Sequence, residues 1–374
     1  MALTRREQLL LLNAVPGIGS IHLRRLIEAF ENLDRLWHAS PEELQQVEGI
    51  GPVLAQHILA GCRDEATLQR ELTLAKREGV TIVTPEDAAY PAALRTLPDP
   101  PLALYIRGSV IETDAVAVAM VGSRHASLYG LQCADRLSYE LAGRGVTVVS
   151  GLARGIDAAA HQGALKAGGR TLAVLGSGLA CLYPEEHAEL AERIAQHGAV
   201  ISEYPMTMRP LAHNFPRRNR LISGLSLGVV VVEATQRSGA LITADCALEQ
   251  GRDVFAVPGP MTAATSQGTH QLVKQGARLV TSVEDILEEL RLVPQPVSAA
   301  MTTSTESAID VQASERRILA CLSSDGSRSI DAIVDDSGLT LPEVSSTLLH
   351  LELKQVIRQL PGKQFVRNAE RTCT

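Results

Sequence analysis

The chain has 374 residues and a formal charge of −7, so it holds two or three domains and is not basic overall, although a local basic groove remains open to it. Hydrophobic residues make up 45% and charged residues 21%, which excludes a largely disordered chain. Aromatics are 3% against 29 glycines and 18 prolines, a mixture that suits tight strand–helix turns better than an aromatic-rich β-sandwich.

The first 19 residues, MALTRREQLLLLNAVPGIG, imitate a secretory leader, but Glu7 and Gln8 interrupt the leucine run and Pro16-Gly17 stops it early, so a mature cytosolic start is expected. Residues 1–66 read as all-helical. The breaks VPGIG (15–19) and VEGIG (47–51) repeat at a spacing of 32, each followed by an amphipathic run, a tandem helix-hairpin-helix pattern. Glycines turn such hairpins tightly and helix-start amides can face a phosphate. The second copy has no Lys or Arg before Arg63, so this unit is given an auxiliary role.

Residues 67–110 form a bridge: a helix to about Glu78, a strand at 80–83 and another at 102–106, with prolines that forbid a long helix. From Ala115 the pattern becomes strand–helix alternation. Strands are expected at 115–121, 146–150, 171–175, 199–202, 227–233 and 253–257, with a last one near 278–280. They are apolar on both faces, as in a parallel sheet covered on both sides. The expected fold is therefore α/β: an extended Rossmann-like, doubly wound, mostly parallel sheet at 67–290, with sites at the carboxyl ends of the strands. Residues 291–312 read as a Pro/Ser/Thr-rich linker. Residues 313–368 read as three helices (314–322, 330–337, 341–352) and a hairpin (356–366), the order of a winged-helix-like domain. That unit balances seven basic against seven acidic residues, and its third helix carries Glu343 and Glu352, which favours contact with protein over base reading.

No apolar stretch approaches the roughly 20 residues of a membrane-spanning helix. The six cysteines, Cys62, Cys133, Cys181, Cys246, Cys321 and Cys373, form no CxxC pair, so neither zinc nor a disulfide framework is expected, and a reducing cytoplasm is. Several motifs fail on context. LGSGLAC (175–181) lacks the third small residue of a dinucleotide fingerprint. GLSLG (224–228) has its strand after the serine rather than before it. No Walker A sequence occurs. Asp157 and His161, four apart on one helix, read as a solvated or capping pair. No metal or cofactor is expected.

One constellation survives. VGSRHASLYG places Gly122, Ser123 and Arg124 at one strand tip; SGLARGID places Ser150, Gly151, Arg154 and Gly155 at the next; EATQRSGALITA places Arg237, Ser238 and Gly239 before a helix. Glycines admit a phosphate to the backbone, and helix starts supply partial positive charge. Between Tyr204 and Val232 stand Arg209, Arg217, Arg218 and Arg220, with no acid, and Phe215 lies among them. Cations that track phosphates and a ring that stacks on a base compose a single-strand groove. The competing assignment makes Phe215 a core plug and pairs Arg220 with Glu233 or Asp245.

In this order, VGSR, SGLARGIDAAAH, TLAVLGSGL, SEYP, FPRRNRLI and VVVEA with SGALITA and VFAVPG closely resemble the DNA-processing protein A family (DprA, also called Smf), from about Tyr90 to Leu290. The resemblance implies an extended Rossmann domain that forms a homodimer. It implies single-stranded DNA binding in the cytoplasm, loading of the RecA recombinase during natural transformation, and no catalysis. By motif match, phosphate contacts fall to Gly122, Ser123, Arg124, the 150–155 turn, and Arg217, Arg218, Asn219 and Arg220, and base stacking falls to Phe215. Members often carry a lysine ahead of that phenylalanine. This chain has Ala212 and His213 there, so part of the positive charge is assigned to Arg209. Two rival readings remain. A nucleotide phosphoribohydrolase-like enzyme would need a PGG-x-GT-x-x-E loop, which neither VPGPMTAA nor RSGALITADCALE supplies. A duplex-binding regulator would act through the winged-helix-like unit.

Overall fold

A computed structural model describes residues 3–292, 317–319, 321–322, 328–340, 344, 347–348, 351–352, 357–360 and 364–367. The chain forms two compact units, Met1–Ser298 and Ala299–Thr374. Most of the expected 291–312 linker lies outside the described residues.

The first unit opens with six helices: α1 (Arg5–Ala14), α2 (Ser20–Phe30), α3 (Leu33–Trp37), α4 (Pro41–Gln45), α5 (Pro52–Gly61) and α6 (Glu65–Arg77). Gly17 and Gly49, at matching places in the two repeats, have φ of 89° and 88°, which accounts for glycine at both turns. Then come β1 (Val80–Val83), α7 (Ala92–Arg95), β2 (Leu104–Gly108), β3 (Ala117–Val121), α8 (Leu128–Gly143), β4 (Thr147–Ser150), α9 (Ile156–Lys166) and β5 (Thr171–Leu175). The unit continues through α10 (Ala188–His197), β6 (Ala199–Ser202), α11 (Asn214–Gly224), β7 (Gly228–Val231), α12 (Gly239–Glu249), β8 (Asp253–Ala256), α13 (Gln267–Lys274), β9 (Arg278–Leu279) and α14 (Val283–Glu289).

All nine strands join one sheet in the order β1-β2-β6-β5-β4-β3-β7-β8-β9. Every pairing from β6 to β9 is parallel; β1–β2 and β2–β6 are antiparallel. Alternate residues of a strand point to opposite faces. In β3, Ala117, Ala119 and Val121 enter one core while Val118 and Met120 enter the other, so the strand is apolar throughout because both faces are covered. The chain winds one way from β3 through β4 and β5 to β6, then returns to β7 on the other side of β3. The gap between the ends of β3 and β7 is therefore the switch point, where open α/β sheets bind ligands.

The N-terminal helices share the sheet's packing. Leu10 and Leu11 of α1 lie in one buried cluster with Leu152, Ala158 and Leu175. Asn13 donates to the Glu203 carbonyl at 3.0 Å, and the Met206 amide donates to Glu71 at 2.6 Å. No helix among the described residues is long and apolar enough to cross a membrane.

In the second unit α15 (Ile330–Ser337) ends at Gly338, which takes the left-handed conformation (φ 66°, ψ 19°). Strands β10 (Arg328–Ser329), β11 (Ile357–Leu360) and β12 (Gln364–Arg367) form a sheet in the order β10-β12-β11. The sequence pattern gave the hairpin but not β10, which is only two residues long and has no periodicity of its own. Residues 344, 347–348 and 351–352 are helical; Glu343 and the rest of the expected third helix lie outside the described residues.

Candidate nucleic-acid interface

Four segments meet at the switch point. Gly122 and Ser123 follow β3; Ser238, whose hydroxyl accepts from the Ala240 amide at 3.3 Å, caps α12 after β7; Gly151 follows β4; and α11 carries Phe215, Arg218 and Asn219 across the opening. Between them lies a cavity of about 620 Å³ lined by Gly122, Ser123, Arg124, Phe215, Arg218, Asn219, Ser238 and Gly239 together with Asp157 and Tyr183. The α11 sequence holds this register because Leu221 and Ile222 bury against the sheet, leaving the preceding turn to face the strand ends.

Phe215 is the centre of the site. Its half-buried ring packs 5.7 Å from the Tyr183 ring, and the Arg124 guanidinium lies over it at 5.3 Å from the centroid, with Arg218 at 6.0 Å. Such cation–π contacts contribute about 0.5–2 kcal/mol. Gly176 makes the room, since a Cβ there would stand 2.8 Å from the ring. The LGSGLAC segment thus serves the site by lacking a side chain, although the fingerprint search discards it. Tyr183, eight residues after Leu175, stands in the YP that follows TLAVLGSGL in the family pattern, but that pattern assigns it no role in the site. The ring is therefore neither a sealed core plug nor an isolated surface aromatic.

The arginines divide by environment. Arg124 is exposed. Arg218 is only 4% exposed; one Nη1 donates to the carbonyls of Gly151 and Val174, and burial draws its pKa down to about 10. It is a fixed charge in the wall. Gly151 is needed because a Cβ would lie 2.7 Å from that guanidinium. Arg154 lines a small cleft with Arg124, Tyr183 and Phe215 and pairs with Glu186 at 2.7 Å. Asn219 donates to the Gly239 carbonyl at 3.2 Å, tying α11 to α12.

Several of the expected contacts do not line this cavity. Ser150 is fully buried and its hydroxyl donates to the Met120 carbonyl at 2.6 Å, so it builds the strand end rather than facing a ligand. Arg220, one turn on from Arg217, is buried and is held by Glu203 and, at 2.9 Å, by Asp99. Glu233, offered above as its partner, is occupied by the amide and hydroxyl of Ser127. Arg209 and Arg217 are exposed but line no part of the cavity; Arg217 lies against Gly19 of the first hairpin, where a Cβ would collide with it. Of the expected solvated or capping pair neither residue is solvated: Asp157 and His161 are both buried, and Asp157 accepts from the Ala153 amide at 3.3 Å ahead of α9. Burial pushes the Asp157 carboxyl up, against the pull of Arg218.

Gly155 shows how the β4–α9 turn sets the crest of the site. Its φ is +76° with ψ −124°, and a Cβ would collide with the Ser123 carbonyl and stand 2.8 Å from that of Arg124. Gly155→Ala is expected to lower stability by about 1–3 kcal/mol from backbone strain alone and to displace Arg124. Thermal melting and nucleic-acid titration of the variant check this; an unchanged melting temperature contradicts it.

Comparison with known proteins assigns the family. A family model described as DNA recombination-mediator protein A matches residues 81–291. The chain belongs to the DNA-processing protein A family. Models for the DprA winged helix domain and the helix-hairpin-helix motif match residues 302–363 and 9–69. Protein Smf of Escherichia coli K12 is 45% identical over 287 residues, 75% of this chain and 76% of its own. DNA processing protein DprA of Bacillus subtilis is 41% identical over 60% of this chain and 75% of its own. Among solved structures, DprA from Streptococcus pneumoniae superposes with a TM-score of 0.67 at 36% identity, over 77% of this chain and 99% of that one. DprA from Helicobacter pylori, described for its single-stranded DNA binding mode, gives a TM-score of 0.51 at 31% identity, over 56% of this chain and 96% of that one. In DprA terms, then, the fold expected from the sequence is the family's: a Rossmann-like sheet flanked by helix-hairpin-helix and winged-helix domains.

Proposed function

We propose that the chain binds single-stranded DNA at the β3–β7 switch point, gripping the phosphodiester backbone, in the course of DNA processing. The observation that carries this is the exposed Arg124 guanidinium stacked over Phe215 at glycine-lined strand ends. That geometry presents a cation and an aromatic edge to one strand, with the turn amide of Gly239 beside them. We assign the binding to residues 67–290, with 1–66 and 313–368 as auxiliary domains joined by the 291–312 linker. The contacts we assign are Gly122, Ser123, Arg124, Arg154, Phe215, Ser238 and Gly239, with Arg218 as the buried charge behind them. We infer further that the protein works by holding a strand and yielding it, as a cytoplasmic homodimer that loads the RecA recombinase during natural transformation, and not by turnover. The family's description as a recombination mediator supports this, since a mediator must retain a strand until a recombinase takes it over.

Fluorescence anisotropy with single strand, duplex and free nucleotides, at three salt concentrations, tests the reading. Affinity for single strands should fall steeply with salt and vary little with sequence. Arg124→Ala should reduce the log–log salt slope by about 0.7, one single-strand phosphate contact. Phe215→Ala should cost about 1–3 kcal/mol, and Phe215→Trp should retain binding, since either ring can stack. Preference for duplex, a flat salt response, or release of free base from a nucleotide would overturn it.

A further inference from the structure

On the far side of Arg124 from the cavity lies a second concavity of about 510 Å³, between α8 and α9. We propose that it is a second nucleotide subsite: the strand crosses Arg124, and the nucleotide next to the one held in the switch-point cavity lays its base in this groove. The inference rests on the single-strand reading above.

Arg124 lines both concavities, so one guanidinium stands where a phosphate linking two nucleotides would sit. The divide beneath it is backbone. Gly155 lies directly against the Ser123 and Arg124 carbonyls, and its missing side chain keeps the crest low enough to cross. The groove walls are small and apolar: Ala158 and Ala159 of α9 face Leu131 of α8. Alanines on one helix face leave a flat floor, and the flat, mostly apolar face of a base stacks on such a surface. Gly163 lets α8 and α9 approach this closely, because a Cβ there would meet the Asp135 backbone.

The rim favours a phosphodiester over other occupants. His125 stands at the Arg124 end, its amide fixed by the Ser123 hydroxyl at 3.1 Å. Gln132 and Gln162 are exposed and offer amide donors and acceptors. The lining acid, Asp135, is neutralised by Lys166 at 2.5 Å. The groove therefore carries positive charge at its entrance and no uncompensated acid, and it opens onto the cavity through a shared residue. A neighbouring nucleotide of the same strand satisfies all three features; a free ligand or a second protein would make no use of the continuity.

The full chain, with Gln132→Glu and Gln162→Glu together, tests this against thymidine monophosphate and oligothymidylates of two, four, eight and twenty nucleotides. Both positions are exposed on helices, so the fold should survive, and melting curves verify it. At low salt the double variant should bind the oligothymidylates roughly tenfold more weakly and the mononucleotide as the parent does. Gln132→Lys with Gln162→Lys should shift long-strand affinity the opposite way. A control with Gln69→Glu and Gln196→Glu, exposed positions on α6 and α10, should show no loss that depends on length. An equal loss for the mononucleotide, the same loss in the control, or unchanged long-strand binding would overturn the subsite. If Arg124→Ala loses binding while the glutamate pair does not, the switch-point reading stands and this inference falls. If the parent binds no single strand at all, both fall.

Discussion

Arg220→Ala is expected to lose about 3–5 kcal/mol of folding stability, because it leaves a buried charge without its partner. Arg220 is 8% exposed and Glu203 is 7% exposed. Burial pushes the Glu203 carboxyl up and the Arg220 charge opposes that shift. Asp99 completes the cluster, and the Glu203 carbonyl receives Asn13 from α1, so the pair fastens α11, the end of β6 and the first helix together. Arg217→Ala, at an exposed position one turn earlier on the same helix, should stay within about 0.5 kcal/mol of the parent. Converting Glu203 to Gln in the Arg220→Ala background should restore part of the loss, since a neutral amide is cheaper to bury than a charge. Denaturant titration of the four proteins decides. A stable Arg220→Ala protein that has lost DNA affinity would return this residue to the interface.

Acid should destabilise the protein through His161. The ring is fully buried; its Nδ1 lies 2.7 Å from the Thr171 hydroxyl, which itself donates to the Val148 carbonyl. That hydroxyl has one proton, so it accepts from the ring, which assigns the imidazole proton to Nδ1. Nε2 has no partner among the described residues. Burial, with His187 and Arg218 adding repulsion, holds the ring's pKa down at about 3, below the ordinary 6.5. Between those values the unfolded chain binds a proton that the folded chain refuses. Stability from this group is complete above pH 6.5 and falls by about 1.4 kcal/mol per pH unit on acidification towards 3. Asp157 acts in the opposite sense at the acid end, because its carboxyl is raised in the folded state and so binds its proton more readily there. His161→Leu keeps the Thr171–Val148 bond and removes the titrating ring. Its unfolding free energy should fall less than the parent's from pH 7 to pH 5. Equal acid sensitivity of the two proteins would remove the ring from this role.

What the sequence determined by itself was whatever repeats along the chain. Apolar strands alternating with helices implied a parallel sheet covered on both faces, because a strand such as 171–175 with no polar residue but its first can be stable only there. Glycine-bearing strand ends and the order of the family motifs placed the site at the carboxyl edge, and hairpin repeats 32 residues apart marked the helical domain. Composition also singled out the Arg-rich α11 segment, but a one-dimensional pattern gives a helix residue no direction. Arg217, Arg218 and Arg220 are near neighbours in sequence, yet one is exposed, one becomes wall and one becomes an ion pair; Arg217 and Arg220 share a side of the helix, and the carboxylates of Glu203 and Asp99 brought against Arg220 make the difference. The same limit hid the roles of Tyr183 and Gly176, which exist only where β5 meets the ring of Phe215. It also hid the burial of Asp157 and His161, which follows from α9 packing on the sheet and not from their spacing of four. The sequence thus carries periodicity and local backbone need. Which charges face water is settled by long-range packing, since burying a cation depends on partners such as Glu203 and the Gly151 carbonyl that the chain brings in from elsewhere.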